Sequence, residues 1–379
     1  MHKADILIVD DTPTNISLLT QMLANQGYSV RAATNGQRAL ESVNALPPDL
    51  IMLDIRMPGL NGFEVCERLK AEENTRDIPV IFISALDDVE DKVRGFKVGG
   101  IDYITKPFQL EEVLVRTENH LAMRSLQHQL LEKNRKMTQE LALAAQMQTH
   151  LMPKRAPDLP GWHMASRLMP AFETSGDYFD IFMLPDGRVG LLIADVVDKG
   201  VAAALFMAYS WSLLRTYSDE YYQEPEKVFV HVNRRILADT ATGQFVTVFL
   251  GMLHPSTGML EYCNAGHLPP LICSAGSNGH PLRLLRTGIP LGILEDQSWG
   301  TNEVKLNPGD LLLLYTDGVI DAINESTDNF GEQRLHESLW SRFGQPASLL
   351  LDGLSEDIKA FTGESRQFDD IAMVVVNRQ

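Results

Sequence analysis

Apolar runs that end in an acidic residue recur along this 379-residue chain. The run LIVDD ends at Asp10 and Asp11, the run LIMLD ends at Asp54, and the run LLLLYTD ends at Asp317. Short apolar runs bounded by turn residues predict buried strands. A buried strand that ends in a carboxylate holds that carboxylate rigidly, so the sequence predicts sites built from acids at strand ends.

The first 120 residues alternate between five short apolar runs and amphipathic stretches. Such an alternation predicts a parallel sheet with helices on both faces. The carboxyl ends of parallel strands share one edge, where ligands bind in doubly wound folds. Five polar residues end these strands and are predicted to meet at that edge: Asp10, Asp11, Asp54, Ser84 and Lys106.

The chemistry of this edge follows from its charges. Clustered carboxylates repel one another unless a cation compensates them, and compact acidic oxygens suit Mg²⁺. Lys106 brings a positive charge to the same edge. An acid, a metal ion and an ammonium group are what formation of an aspartyl phosphate requires.

The segments LIVDD, LIMLDIRMPGLNG, VIFISA and DYITKPF resemble the receiver domains of two-component response regulators, over about residues 4–120. The resemblance implies a flavodoxin-like α/β fold in which Asp54 accepts a phosphoryl group from a sensor histidine kinase. It also implies that Asp10 and Asp11, together with Asp54, hold Mg²⁺. Lys106 and Ser84 would contact the phosphoryl group.

Two further expectations come from the same resemblance. Tyr103 would be the aromatic residue that turns inward on phosphorylation, although an ordinary half-buried strand residue is an equal alternative. The bond between Lys106 and Pro107 is expected to be cis, which a tertiary amide permits at low cost.

Residues 121–152 contain neither glycine nor proline, and one set of positions recurs every seven residues: Met123, Leu130, Met137, Ala144 and Leu151. This repeat predicts a long linker helix that forms a coiled coil and a homodimer. The second seam of the coil stays open between two registers: Leu126, Lys133, Glu140 and Met147, or Gln127, Asn134, Leu141 and Gln148. A single helix lying on its own domain is the alternative.

Residues 153–379 combine strand-like stretches joined by short turns with two helical stretches, which predicts an antiparallel α+β domain. Four short acidic loops adjoin the strands: TSGDYFD, IADVVDKGV, LYTDGVIDA and FDDIAMVVV. They contain eight acids: Asp177, Asp180, Asp195, Asp198, Asp317, Asp321, Asp369 and Asp370. One Asp-Gly after a strand is ordinarily a turn, but four such loops together predict a cage of oxygen ligands for Mg²⁺ or Mn²⁺.

Two ions held in such a cage would activate water and hold a phosphoryl group for attack. His267 is the rival ligand, and a mixed site would favour Zn²⁺ or iron. The ten histidines show no HxH or HxxxH spacing, so His267 is interpreted as a structural loop residue.

The segments SGDYFD, ADVVDKGVAAAL, LNPGDLLLLYTDGVIDA and FDDIAMVVV resemble the bacterial branch of the PP2C-type serine/threonine phosphatases, the group that acts on anti-sigma-factor antagonists. The resemblance spans about residues 160–378 and implies a PP2C-like β-sandwich flanked by helices. It assigns five positions to the site: Asp195 bridging two metal ions, the Val196 carbonyl on one of them, Asp317 and Asp369 on the other, and Asp177 orienting water.

Asp370 would support the site from behind these ligands. Two departures from the family pattern are visible, and neither removes a ligand. Ser175 replaces a frequent glycine, and Val197–Asp198 replace a common Ser-Gly.

The charge and the cysteine content argue against several classes of partner and of cellular location. Lys plus Arg number 33 and Asp plus Glu number 50, so the formal net charge of −17 disfavours nucleic acid and anionic membranes as partners. The three cysteines lie far apart, as expected in a reducing cytoplasm. Asp5, Asp10 and Asp11 interrupt the apolar segment that a signal peptide would need, and no apolar run is long enough to span a bilayer.

Together these features predict a receiver domain (1–120), a helical coiled-coil linker (121–152) and a phosphatase domain (153–379). We expect phosphorylation of Asp54 to control a metal-dependent phosphatase that acts on a phosphoprotein, a sigma-factor regulator. The alternative is a non-catalytic adaptor that binds a sigma factor or anti-sigma protein. The sequence does not decide whether phosphorylation activates or inhibits.

Overall fold

The computed structural model describes residues 3–85, 89–153, 155–240, 243–277 and 279–379, without the side chains of residues 85 and 89. The chain divides into two compact units, Met1–Lys136 and Met137–Gln379. Each unit has its own buried core.

The first unit is a five-stranded parallel sheet in the order β2-β1-β3-β4-β5. Its strands are β1 (Asp5–Val9), β2 (Ser29–Ala33), β3 (Leu50–Asp54), β4 (Val80–Ala85) and β5 (Asp102–Lys106). The connecting helices are α1 (Pro13–Ala24), α2 (Gly36–Ala45), α3 (Gly62–Ala71) and α4 (Val89–Lys97). The predicted alternation and the predicted parallel sheet are confirmed.

Each central strand of this sheet is apolar on both sides because both faces are covered. In β1, Leu7 and Val9 pack into one cluster, whereas Ile6 and Ile8 pack into the other. The strands therefore read as unbroken apolar runs, and their polar residues appear only where the strands end.

A single helix, α5 (Leu110–Leu151), follows β5 and contains the division between the units. It begins earlier than the predicted linker, because the chain lacks glycine and proline from residue 110 to residue 152. Three residues of the predicted seam are exposed on it: Met123, Leu130 and Met137, at 58–60%. The long helix is confirmed, while the coiled-coil dimer stays a prediction.

Two antiparallel five-stranded sheets form the second unit. The first has the order β13-β10-β9-β8-β7 and the second the order β12-β11-β14-β15-β6. The strands are β6 (Trp162–Met169), β7 (Tyr178–Met183), β8 (Val189–Val196), β9 (Val246–Leu253), β10 (Met259–Ala265), β11 (Leu271–Cys273), β12 (Leu282–Arg283), β13 (Asn302–Lys305), β14 (Leu311–Tyr315) and β15 (Ile371–Arg378).

Helices cover the outer faces of both sheets. The first sheet carries α6 (Val201–Glu220) and α7 (Pro225–Asp239), and the second carries α8 (Gly331–Ser341) and α9 (Ala347–Thr362). The sequence predicted α6 and α7 but not α8 and α9. None of the four helices has an N-cap side-chain hydrogen bond, so this local start signal does not distinguish the two pairs.

Strand β14 shows how this layering places an acid. Leu312 and Leu314 pack into the core shared by the two sheets, whereas Leu311 and Leu313 pack with α8 and α9. All four are at most 2% exposed. The strand is therefore anchored from both sides, and Asp317 emerges from its end in a short 3₁₀ turn, Asp317–Val319.

Every helix in the described part of the chain is too short or too polar to cross a lipid bilayer.

Removing a core side chain tests this layering. Leu313→Ala should lower the free energy of unfolding by about 2–5 kcal/mol, because it leaves a cavity at a fully buried site. Urea unfolding followed by tryptophan fluorescence reports on the second unit, which contains all four tryptophans. The matched control is Leu349→Ala, at a position 56% exposed, and it should change stability by less than about 0.5 kcal/mol. Equal effects would contradict the described packing.

Candidate functional site

The sheet edge of the first unit brings Asp10, Asp54 and Lys106 into direct contact. The Lys106 ammonium Nζ lies 3.0 Å from Oδ2 of Asp10 and 3.0 Å from Oδ2 of Asp54. Asp10 is fully buried and Asp54 is 6% exposed. Since these residues end β1, β3 and β5, the parallel sheet itself creates the contact.

Carboxylate oxygens of Asp10, Asp11 and Asp54 all lie within 4.8 Å of one another. Among the acids, histidines and cysteines that the structure describes, no other group of three comes this close. The backbone N–H of Thr12 and the side-chain amide of Asn15 donate to Asp10 and fix its orientation. Three carboxylates that converge on one point fit a hard divalent cation such as Mg²⁺.

The electrostatics of this edge are set by burial and by the lysine. Burial raises the pKa of Asp54, and Asp10 adds to the rise, while Lys106 opposes it. Burial disfavours the charge of Lys106, but its hydrogen bonds to Asp10 and Asp54 prevail and raise its pKa. The lysine therefore stays charged and partly compensates the acids.

Ser84 and Tyr103 are the remaining residues that the sequence predicted for this edge. Ser84 is 5% exposed, and its hydroxyl has no hydrogen-bond partner among the described residues. Tyr103 is turned inward: it is 7% exposed, and its hydroxyl donates to the Lys92 carbonyl. The Lys106–Pro107 bond is cis, which confirms that prediction.

In the second unit, strand ends from both sheets surround a cavity of about 230 Å³. Its lining includes Asp177, Asp195, the adjoining Val196, Asp369 and Asp370. Asp177 precedes β7, Asp195 lies in β8, and Asp369 and Asp370 precede β15. Four of the predicted site residues therefore meet in one cavity, although they lie up to 192 residues apart (369 minus 177).

Asp317 lies beside this group, as its electrostatic effects show. Burial raises the pKa of Asp195 to about 7, and Asp317 contributes the largest charge effect. Burial also raises the pKa of Asp317, and the like charge of Asp369 adds to the rise. Burial and the Asp195 charge raise the pKa of Asp177 far above its usual range. The apolar strands thus hold together acids that repel one another.

A bound cation would relieve this repulsion, and the residues fit one. One carboxylate oxygen of Asp177, Oδ2, is buried and has no hydrogen-bond partner among the described residues. An all-oxygen donor set suits Mg²⁺ or Mn²⁺. Gly318 permits the close approach of the loops, because a Cβ there would lie 2.0 Å from the Asp370 carbonyl oxygen.

Asp370 holds a loop in place instead of pointing freely into the cavity. Its Oδ1 accepts a hydrogen bond from the Ala171 N–H, and its Oδ2 accepts one from the Gly176 N–H, each at 2.8 Å. This agrees with the supporting position expected for it. The loop that it ties down leads directly into Asp177.

The sequence reasoning did not assign Lys199, yet it contacts an acid of the site. Its Nζ lies 3.1 Å from Oδ2 of Asp369 and donates to the Phe368 carbonyl at 2.6 Å. A basic residue inside the acidic loop IADVVDKGV was the available signal. Neighbouring Asp198 lines the same cavity and has a left-handed backbone, with φ of 77°.

Three acids from the four loops are not part of the cavity lining: Asp317, which lies beside it, Asp180 and Asp321. Asp180 accepts a hydrogen bond from Trp211 Nε1 at 3.1 Å and pairs with Arg215 at 3.4 Å. It therefore anchors α6 to β7. Asp321 accepts a hydrogen bond from the Asn329 amide at 3.2 Å.

His267 is a buried residue that joins strand ends of the two sheets. Its Nε2 donates to the Tyr315 carbonyl at 3.2 Å, and its Nδ1 accepts from the Thr247 hydroxyl at 2.8 Å. Burial lowers its pKa to about 4. Both ring nitrogens are engaged by the protein, as expected of a structural residue.

The depressed pKa of His267 predicts a pH effect on stability. Below its ordinary pKa of 6.5, the unfolded chain binds a proton that the folded chain excludes until about pH 4. The contribution of His267 to stability should therefore fall by about 3 kcal/mol as the pH falls from 6.5 to 4. His267→Gln should lack this component, so its stability deficit relative to wild type should shrink toward pH 4 in urea unfolding. The exposed control His280→Gln should follow wild type, and a deficit that stays constant with pH would contradict the assignment.

Comparison with known proteins agrees with this division into two sites. The family model described as Stage II sporulation protein E (SpoIIE) matches residues 185–379, and the model of the response regulator receiver domain matches residues 6–118. Protein IcfG of Synechocystis sp. is 34% identical over 266 residues, which are 63% of this chain and 41% of IcfG. The chain thus covers less than half the length of that relative.

Solved structures show the same fold for the second unit. The SiaA-PP2C domain of Pseudomonas aeruginosa matches 65% of this chain and 98% of that domain, with a TM-score of 0.58 at 20% identity. A structure of RsbU and RsbW domains from Mycobacterium tuberculosis is 28% identical, with a TM-score of 0.50, and covers 59% of this chain and 63% of that one.

Proposed function

Because this chain belongs to the SpoIIE family and carries a receiver domain ahead of the matching region, we propose that it is a response regulator with phosphatase output. In this proposal, a sensor histidine kinase phosphorylates Asp54. The receiver then controls a metal-dependent serine/threonine phosphatase in the second unit. The observation that carries the proposal is the convergence of acids at the ends of β7, β8 and β15 around one cavity, with Asp317 after β14 beside them.

We assign the metal ligands of the phosphatase to Asp195, the Val196 carbonyl, Asp317 and Asp369. Two divalent cations, Mn²⁺ or Mg²⁺, would supply positive charge for the phosphoryl oxygens and lower the pKa of water. The chain itself supplies the rigid donor set. Asp195 is fixed within β8, and Asp317 follows the fully anchored β14.

Asp177 is assigned to orient the attacking water. Its Oδ2 is buried and free of hydrogen bonds among the described residues, so it can accept one from water. Asp370 supports it through the preceding loop, by way of the Gly176 N–H. In this proposal, Asp177 contacts the reacting water and Asp370 positions Asp177.

The proposed substrate is a phosphoserine or phosphothreonine on a sigma-factor regulator such as an anti-sigma-factor antagonist. A larger cavity of about 480 Å³ shares Asp369 with the acidic cavity and leaves room for the polypeptide on either side of the phosphorylated residue. The match to the SpoIIE family model and the similarity to a structure with an RsbU domain are the comparisons that favour this family of enzymes.

In the receiver, a carboxylate oxygen of Asp54 would attack the phosphorus of a phosphohistidine on the kinase, and the bond between that phosphorus and the histidine nitrogen would break. Lys106 already contacts this carboxylate at 3.0 Å and would compensate the added negative charge. The hydroxyl of Ser84, which has no partner among the described residues, would donate to the phosphoryl group, and Mg²⁺ would be held by Asp10, Asp11 and Asp54. We propose that the signal passes through α5 and a homodimer formed along its exposed apolar residues.

Phosphatase activity provides the first test. Hydrolysis of a phosphothreonine peptide in Mn²⁺ should fall on the order of a hundredfold in Asp195→Asn, because a charged oxygen ligand is lost. The control Asp219→Asn, at an exposed position of α6, should retain the wild-type rate. Equal rates in wild type and Asp195→Asn would remove the enzyme proposal and leave the adaptor role.

Phosphorylation of the receiver is tested separately. Incubation with acetyl phosphate and Mg²⁺ should add one phosphoryl group to the wild type, measured by intact-protein mass spectrometry, and none to Asp54→Asn. The exposed control Asp77→Asn should be modified like the wild type. Modification of Asp54→Asn to the same extent would place the acceptor elsewhere.

Coupling between the two units is tested with beryllium fluoride, a phosphoryl mimic. It should change the phosphatase rate of the wild type and leave that of Asp54→Asn unchanged. An unchanged wild-type rate would contradict control by the receiver.

A further inference from the structure

We propose that Gln148, in the last turns of α5, is a positioning residue for the phosphatase site. It fixes the loop that leads into Asp177 and ties that loop to the start of α6. The catalytic role of Gln148 rests on the proposed function, whereas its hydrogen bonds are observed whatever the protein does.

The side-chain amide of Gln148 makes contacts to two separate segments. Its Nε2 donates to the Ser175 carbonyl at 2.9 Å and to the Ala204 carbonyl at 3.4 Å. Its Oε1 accepts from the Ser175 N–H at 3.1 Å. Both backbone groups of Ser175 therefore depend on this one amide, which is 8% exposed.

The loop held by Gln148 reaches the site within two residues. The Ser175 hydroxyl donates to the Asp177 carbonyl at 3.0 Å, and the Gly176 N–H donates to Asp370. A Cβ on Gly176 would lie 3.4 Å from the Val196 carbonyl oxygen, so this loop packs closely against a proposed metal ligand. A shift of Ser175 would therefore move Asp177 relative to Val196.

A glutamine at this buried position has a specific chemical consequence. Buried helix positions ordinarily carry apolar residues, and a polar one is retained at low cost only when its hydrogen bonds are made. Ser175 is 2% exposed, so water cannot replace the amide if it is removed. Two buried backbone groups would then lose their partner at once.

This arrangement also bears on the coiled coil. Gln148 belonged to one of the two registers considered for the second seam, yet its side chain faces its own phosphatase unit. The neighbouring Met147 is 74% exposed. The last turns of α5 therefore present one face to the loop that leads into Asp177. A shift or rotation of this helix would move that loop and, with it, Asp177.

The test compares two glutamines on the same helix. Gln148→Met keeps the side-chain size and removes every hydrogen bond, and Gln146→Met makes the same change at an exposed position. With a phosphothreonine peptide and Mn²⁺, Gln148→Met should lower kcat about tenfold and change KM less than about twofold. Gln146→Met should stay within about twofold of wild type in both constants.

Gln148→Glu provides a rescue variant. It keeps an acceptor for the Ser175 N–H but cannot donate to the two carbonyls when ionised, so its kcat should lie between those of wild type and Gln148→Met. Tryptophan fluorescence should show that the variants are folded at the assay temperature. If Gln148→Met is unfolded there, Gln148→Glu decides, and a wild-type kcat in that variant would overturn the proposal.

Hydrogen exchange separates this proposal from the proposed function. The backbone amides of residues 173–177 should exchange faster in Gln148→Met than in wild type. In Gln146→Met they should exchange at the wild-type rate. Both results are expected whether or not the protein is a phosphatase. Wild-type exchange and wild-type kcat in Gln148→Met would overturn the positioning role. A wild type no more active than Asp195→Asn would instead defeat the proposed function, and the exchange result would still decide the role of Gln148.

Discussion

Repulsion between carboxylates at the ends of buried strands is the constraint on which the second unit depends. Desolvation and mutual charge raise the pKa values of Asp177, Asp195 and Asp317, so folding holds these acids together against an electrostatic cost. Strands packed on both sides resist that cost. Strand β14 contributes this resistance most clearly, because its leucines are buried alternately in two different cores. A site under such strain gains most from divalent cations, which gives the proposed metal ions a physical reason.

The two units compensate the repulsion between their carboxylates in different ways. In the receiver, Lys106 contacts both Asp10 and Asp54, so an internal cation compensates part of the charge before any metal binds. In the phosphatase unit, Lys199 contacts Asp369 at the rim and is itself about half exposed. Among the residues that the structure describes, no lysine or arginine pairs with the deeper Asp195 and Asp177. The receiver edge is thus suited to a transient phosphoryl group. The phosphatase cavity is suited to resident cations.

Much of this arrangement could be predicted from sequence because it follows local patterns. Unbroken apolar runs predicted the parallel sheet, and acids placed after such runs predicted which carboxylates converge. The prediction was less complete where partners come from distant segments. Asp180 belongs to an acidic loop but anchors Arg215 and Trp211. Gln148 was assigned only to a helical repeat, because its partner Ser175 lies 27 residues away across a turn of the fold.

Anomalous scattering at the manganese edge, from crystals of the full chain grown with Mn²⁺, tests the central claim most directly. The account predicts two anomalous peaks within the acidic cavity, with Asp195 between them and Asp317 and Asp369 on one ion. Asp177 should lie next to the ions without bridging them. Crystals whose cavity shows no anomalous peak, with the three aspartates turned apart, would contradict the account.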